Sequence, residues 1–194
     1  MGKDAVPDLI PKFQESHFYV RVSAAETLGA VGEGSEDVVP ALIQTLKDPD
    51  ANIRSSVAAV LGNIKEGTGG NSLFELSLED LMNIVDSIPS LTQALQDKDQ
   101  SVRAAAAWAL ENIGTDAVPA LIQALQNPDA NVRGSAAGAL GSIGEGSENV
   151  VPALTQALKD PDSHVRHAAA EALGQIKSEE AVPGLTQALK DPDS

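Results

Sequence analysis

The sequence predicts an all-α solenoid built from stacked antiparallel helix pairs, with about 11 repeat helices and one short inserted helix. Three observations predict it. Every arginine sits fourteen residues after a proline: Pro7 to Arg21, Pro40 to Arg54, Pro89 to Arg103, Pro119 to Arg133 and Pro152 to Arg166. From each arginine to the next proline the distances are 19, 35, 16, 19 and 17 residues, so length varies on one side of the unit only. The Pro-to-Arg half is therefore set by packing and the other half by loops. Finally, the apolar residues are mostly Ala, Val, Leu and Ile with only five aromatics, side chains that let helices approach closely.

The first unit, aligned on Pro7 and Arg21, carries Glu15, Ser16 and His17 where the next carries Asp48, Pro49 and Asp50. Phe13, Phe18 and Tyr19 gather there, and they are expected to cap the open end of the stack, since terminal repeats are usually atypical. The second unit reads PALIQTLKDPDANIRSSVAAVLGNI from Pro40. Pro40 suits a first helical turn, where a missing N–H costs no intrahelical bond. Leu42, Ile43 and Leu46 follow at helical spacing, and Asp48-Pro49-Asp50 stops the helix because Pro49 disfavours helical geometry at Asp48. Asp50 is the expected cap of the next helix, with Asp99, Asp129 and Asp162 at the same position later. The second helix carries an apolar stripe, Ile53, Val57, Val60, Leu61 and Ile64, and Gly62 is expected to mark its fraying end, as Gly29, Gly141 and Gly174 would.

The 35-residue connection between Arg54 and Pro89 is 16 residues longer than the longest ordinary one. This predicts an insertion at about residues 65–86 in a single repeat array spanning 1–194. Gly67, Gly69 and Gly70 predict a loop, and Ser77 with Asp80 opens a short helix over roughly 77–87 with Leu78, Leu81, Met82 and Val85 as its apolar stripe. The following unit places Trp108 where others have Glu26, Ala59, Gly138 and Glu171. A tryptophan in that slot is either covered by the insertion, through Phe74 or Leu76, or stands out as a binding anchor.

The later units echo the same text. Residues 160–189, DPDSHVRHAAAEALGQIKSEEAVPGLTQAL, resemble the HEAT-like repeats of the phycobilin-lyase type, whose units run DPxxxVRxxAAxALGxI followed by AVPxLxxAL. That resemblance covers nearly the whole chain outside residues 65–86. It implies a HEAT-like α-solenoid, first helices lining a concave side, and either an interaction scaffold or a bilin-handling protein. Deoxyhypusine hydroxylase, a HEAT-like enzyme that relies on paired His-Glu motifs, is excluded because no His-Glu dipeptide occurs here.

Charge and residue inventory narrow the function. A net charge of −15 repels phosphate backbones, and all five arginines occupy one repeat position, where they are expected to knit each unit to the next. Nucleic-acid binding is thereby disfavoured, and a neutral or basic protein is the expected partner. The absence of cysteine removes disulfides, thiolate zinc sites and thiol nucleophiles. No apolar stretch is long enough to span a membrane and no leader pattern opens the chain, which leaves a cytoplasmic location as the expectation. His164 and His167 are too few for a metal site, the DPD turns lack the remaining oxygen ligands of a calcium loop, and no serine has the partners of a nucleophilic triad.

What remains is surface. Gln44, Gln93, Gln123, Gln156 and Gln187 each follow their proline by four residues and form an amide row able to bond a partner's backbone. The chain stops at Asp191-Pro192-Asp193-Ser194, where a further helix of the VR type would start, so self-association through open terminal repeats is a further expectation. The functional expectation is a protein-binding scaffold with no catalytic residues, metal or cofactor. The structural ladder is Arg21, Arg54, Arg103, Arg133 and Arg166, and the binding candidates are the amide row with Trp108, Phe74 and Leu76. The alternative is a bilin-binding, lyase-like protein.

Overall fold

The computed structural model describes residues 37–64, 84–144, 149–177 and 179–188, with isolated positions before residue 28 and at Met82. Two compact units divide the chain, Met1–Ile113 and Gly114–Ser194. In the first, α1 (Val38–Thr45) pairs with α2 (Ala51–Ile64), and α3 (Ile88–Ala94) with α4 (Gln100–Ile113). In the second, a 3-10 turn at Gly114–Ala117 leads into α5 (Val118–Ala124), which pairs with α6 (Ala130–Ile143). Then α7 (Val150–Ala157) pairs with α8 (Ser163–Ile176), and a second 3-10 turn, Glu179–Ala181, opens α9 (Val182–Ala188).

Helical hairpins in series, with no strand among the described residues, are the building plan of the all-α solenoid class expected. Nine α-helices are seen among the described residues, against about 11 expected. The other repeat helices fall mostly outside those residues, although Asp8, Tyr19, Val20, Arg21, Ser23, Ala24 and Thr27 are helical, and most of residues 65–86 also fall outside; of the inserted helix, Met82 and residues 84–86 are helical.

Local chemistry explains each hairpin. The first helices are only seven or eight residues long, and α1, α3, α5 and α7 end the same way: in α1 the N–H of Lys47 reaches Gln44 O and that of Asp48 reaches Thr45 O, three-residue bonds that tighten the last turn. The turn that follows is held by two successive side-chain acceptors. Asp48 Oδ1 accepts from the N–H of Asp50 at 2.8 Å, and Asp50 Oδ1 accepts from the N–H of Asn52 at 2.9 Å. The same two steps recur through Asp97 and Asp99, Asn127 and Asp129, and Asp160 and Asp162. Each second acid thus satisfies an otherwise open N–H in the first turn of its fourteen-residue helix. Beyond these helices the backbone turns left-handed, at Gly114, Gly144 and, without glycine's freedom, Lys177 at φ 57°.

Packing then stacks the hairpins within each unit. Leu42, Ile53, Val57, Leu61, Leu91, Val102, Ala106 and Leu110 are sealed from solvent in the first unit, as are Leu121, Val132, Leu140, Leu154, Val165 and Leu173 in the second. The strongest association joins the second helices: α2 with α4, and α6 with α8. Here the structure corrects one expectation. Gly62 and Gly141 do lie in the last turns of α2 and α6, but they are buried there and do not mark a loosening end. A Cβ added to Gly62 would lie 2.7 Å from Ala109 Cα, and one on Gly141 only 2.5 Å from Ala172 Cα. Glycine is required at both because the neighbouring helix backbone occupies the space a side chain would need. Gly174, by contrast, has open space around it, and Gly29 lies outside the described residues.

Candidate partner-binding surface

The polar framework beneath the surface comes first, because it decides which charges are free to meet a partner. Arg54, near the start of α2, is buried, and its fork grips the carboxylate of Asp97 with Nε to Oδ2 at 2.6 Å and Nη2 to Oδ1 at 2.8 Å. Its Nη1 donates to the carbonyls of Asp48 and Pro49 in its own turn, at 2.7 and 3.0 Å. One guanidinium therefore closes its own hairpin and reaches the next. In the second unit Arg133 does the same, bonding Asp160 twice at 2.7 Å and the carbonyls of Asn127 and Pro128. Arg21 lies 3.7 Å from Asp48 and 3.9 Å from Asp50, a looser approach. Arg103 and Arg166 donate Nη1 to the carbonyls of their own turns. Asp48, Asp97 and Asp160 went unassigned in the sequence beyond their part in stopping a helix. Their common place, six residues before an arginine, was the available signal; Asn127 stands at that place in one unit.

The bidentate bonds act on protonation. Hydrogen bonding from Arg54 holds the Asp97 carboxyl below its ordinary value of 3.8, against the opposing effect of burial, and Arg133 does so for Asp160. Reciprocally, those carboxylates raise the proton affinity of the two guanidinium groups. A carboxyl whose pKa is depressed by folding contributes stability that is fully present above the unfolded value and is lost as pH falls through the folded one. Thermal denaturation followed by circular dichroism should therefore show stability falling steeply below about pH 4. Asp97→Asn and Asp160→Asn together should flatten that decline while lowering stability at neutral pH.

With the arginines and their partners engaged, the surface presents other groups. Gln44 and Gln93 in the first unit, and Gln123 and Gln156 in the second, are exposed. Gln187 falls within α9, with its side chain outside the described residues. Between α1 and α3 runs a groove of about 260 Å³. Ile43, Leu46 and Ala94 give it an apolar floor, while Ser90, Gln93, Gln96, Lys47 and Asp97 supply its polar lining. One of the corresponding pairs in the second unit, α7 and α9, is close-set: a Cβ on Gly184 would lie 2.9 Å from Thr155 Cγ2, where the first unit has Ser90 and Ile43.

Trp108 lies elsewhere, on the second-helix side. Its ring sits over Gly62, with Cζ3 at 3.0 Å from the place a Cβ would occupy, and 38% of the residue remains exposed. Phe74 and Leu76, which the sequence set beside it, lie outside the described residues. His164 packs its ring against Gly134, and both His164 and His167 are exposed. Among the described residues no three His, Cys, Asp or Glu side chains gather as a metal site would require. No helix among them is long and apolar enough to cross a membrane.

Comparison with known proteins matches this geometry to a repeat class. No curated protein matches the chain. Among solved structures, the complex of CpcE and CpcF of phycocyanin lyase from Nostoc sp. PCC7120 is 27% identical, over 90% of this chain and 65% of that one, with a TM-score of 0.56. A structure concerned with microtubule plus-end tracking by XMAP215, CLIP-170 and EB1 is 20% identical over 95% of this chain and 84% of that one, with a TM-score of 0.71. A designed armadillo repeat protein in complex with the peptide (KR)4 is 17% identical over 90% and 82%, with a TM-score of 0.53. The last two share the fold alone. HEAT repeats match residues 6–87, 88–150 and 118–194, so the hairpins, their arginine–aspartate bonds and their glycine contacts are those of a chain that belongs to the HEAT-repeat family.

Proposed function

We propose that this protein is a non-catalytic scaffold that binds another protein through the first-helix face. The observation that carries this reading is the groove between α1 and α3, where exposed amides stand above an apolar floor. A glutamine amide both donates and accepts, so Gln93 and Gln96 can bond a partner's main chain whatever its sequence, while Ile43, Leu46 and Ala94 receive an apolar side chain. The volume, about 260 Å³, falls below the ~300–1,000 Å³ of ordinary small-molecule pockets and suits one or two side chains of a protein. A net charge of −15 favours encounter with basic partners, tolerates neutral ones and disfavours nucleic acid.

The test is capture from native extract by immobilised protein, comparing wild type with Ser90→Trp, which fills the groove, and with Gln93→Ala/Gln96→Ala, which removes the amides. An identified partner should be retained by wild type and weakened at least tenfold by either variant, a loss of about 1.4 kcal/mol, with helicity by circular dichroism unchanged. Equal capture by all three would overturn the groove as the contact.

A second reading is favoured by one observation, the 27% identity to a phycocyanin lyase complex. On that reading the chain handles a bilin. The scaffold reading expects no change in the visible absorbance of a bilin mixed with purified protein, and a saturable shift would decide for bilin binding instead.

A further inference from the structure

We draw no further inference here: the strongest candidate, the partly exposed ring of Trp108 over Gly62 on the second-helix side of the first unit, is an apolar patch, and nothing in the structure shows what covers it.

Discussion

Replacing Arg54 with alanine should destabilise the first unit by about 3 kcal/mol, because it strips a largely desolvated carboxylate of its two charged donor groups, Nε and Nη2. Asp97 would keep the N–H of Asp99 but lose the Arg54 fork, and the carbonyls of Asp48 and Pro49 would lose the group that ties the α1–α2 turn to α2. The cost is high because the pair is sheltered, with Arg54 and Asp97 side chains 8% and 14% exposed. Surface ion pairs, by comparison, are worth at most about 1 kcal/mol. A double-mutant cycle with Asp97→Ala separates the pairwise part from the loss of the carbonyl bonds, since the second substitution removes only the first of these. Chemical denaturation monitored by circular dichroism measures both. Additive losses in the cycle would show that the two side chains do not act on one another.

Gly141→Ala should lower stability by about 1–3 kcal/mol, the usual cost of overpacking a filled interior. The clash would fall on Ala172 Cα, a backbone atom with no rotamer to change, so α6 and α8 must separate to admit one methyl group. Gly138→Ala, three residues earlier in the same helix, meets nothing within 4 Å. There the substitution should stabilise by about 0.5–1 kcal/mol, since alanine loses less backbone entropy than glycine on entering a helix. Opposite signs from one chemical change in one helix isolate helix-to-helix distance as the cause. Thermal melts of the two variants suffice, and a stabilised Gly141→Ala protein would mean that the helices pack less closely than described.

The fold was legible in the sequence to the level of individual hairpins. The proline that opens each first helix, the acid-rich turn and the apolar stripes of Ile53, Val57 and Leu61 are local signals, and their repetition let each copy check the others. The insertion was legible in length as well. Arg54 and Asp97 are 43 residues apart and Arg133 and Asp160 are 27 apart, yet the two pairs make the same fork of bonds. The difference equals the 16 extra residues counted between Arg54 and Pro89, so the added segment leaves the register of the ion pair intact.

The candidate surface was legible only in part. Position four after each proline marked the amides, and the structure exposes Gln44, Gln93, Gln123 and Gln156. It did not mark the groove, which depends on Ile43 and Leu46 of one hairpin facing Ser90 and Ala94 of the next. Nor did it distinguish glycines. Gly62, Gly138, Gly141 and Gly174 all sit in helices, but only the first and third touch a neighbouring backbone.

By itself, then, the sequence determined the repeat, the helix boundaries and the class of fold, because each of those rests on interactions within a few residues of chain and recurs in every copy. The tertiary structure alone decided which acid each of Arg54 and Arg133 holds, why Gly62 and Gly141 tolerate no side chain, and where a groove opens between first helices. Those outcomes depend on distances of a few ångströms between hairpins brought together from tens of residues apart, and periodicity along the chain carries no measure of such distances.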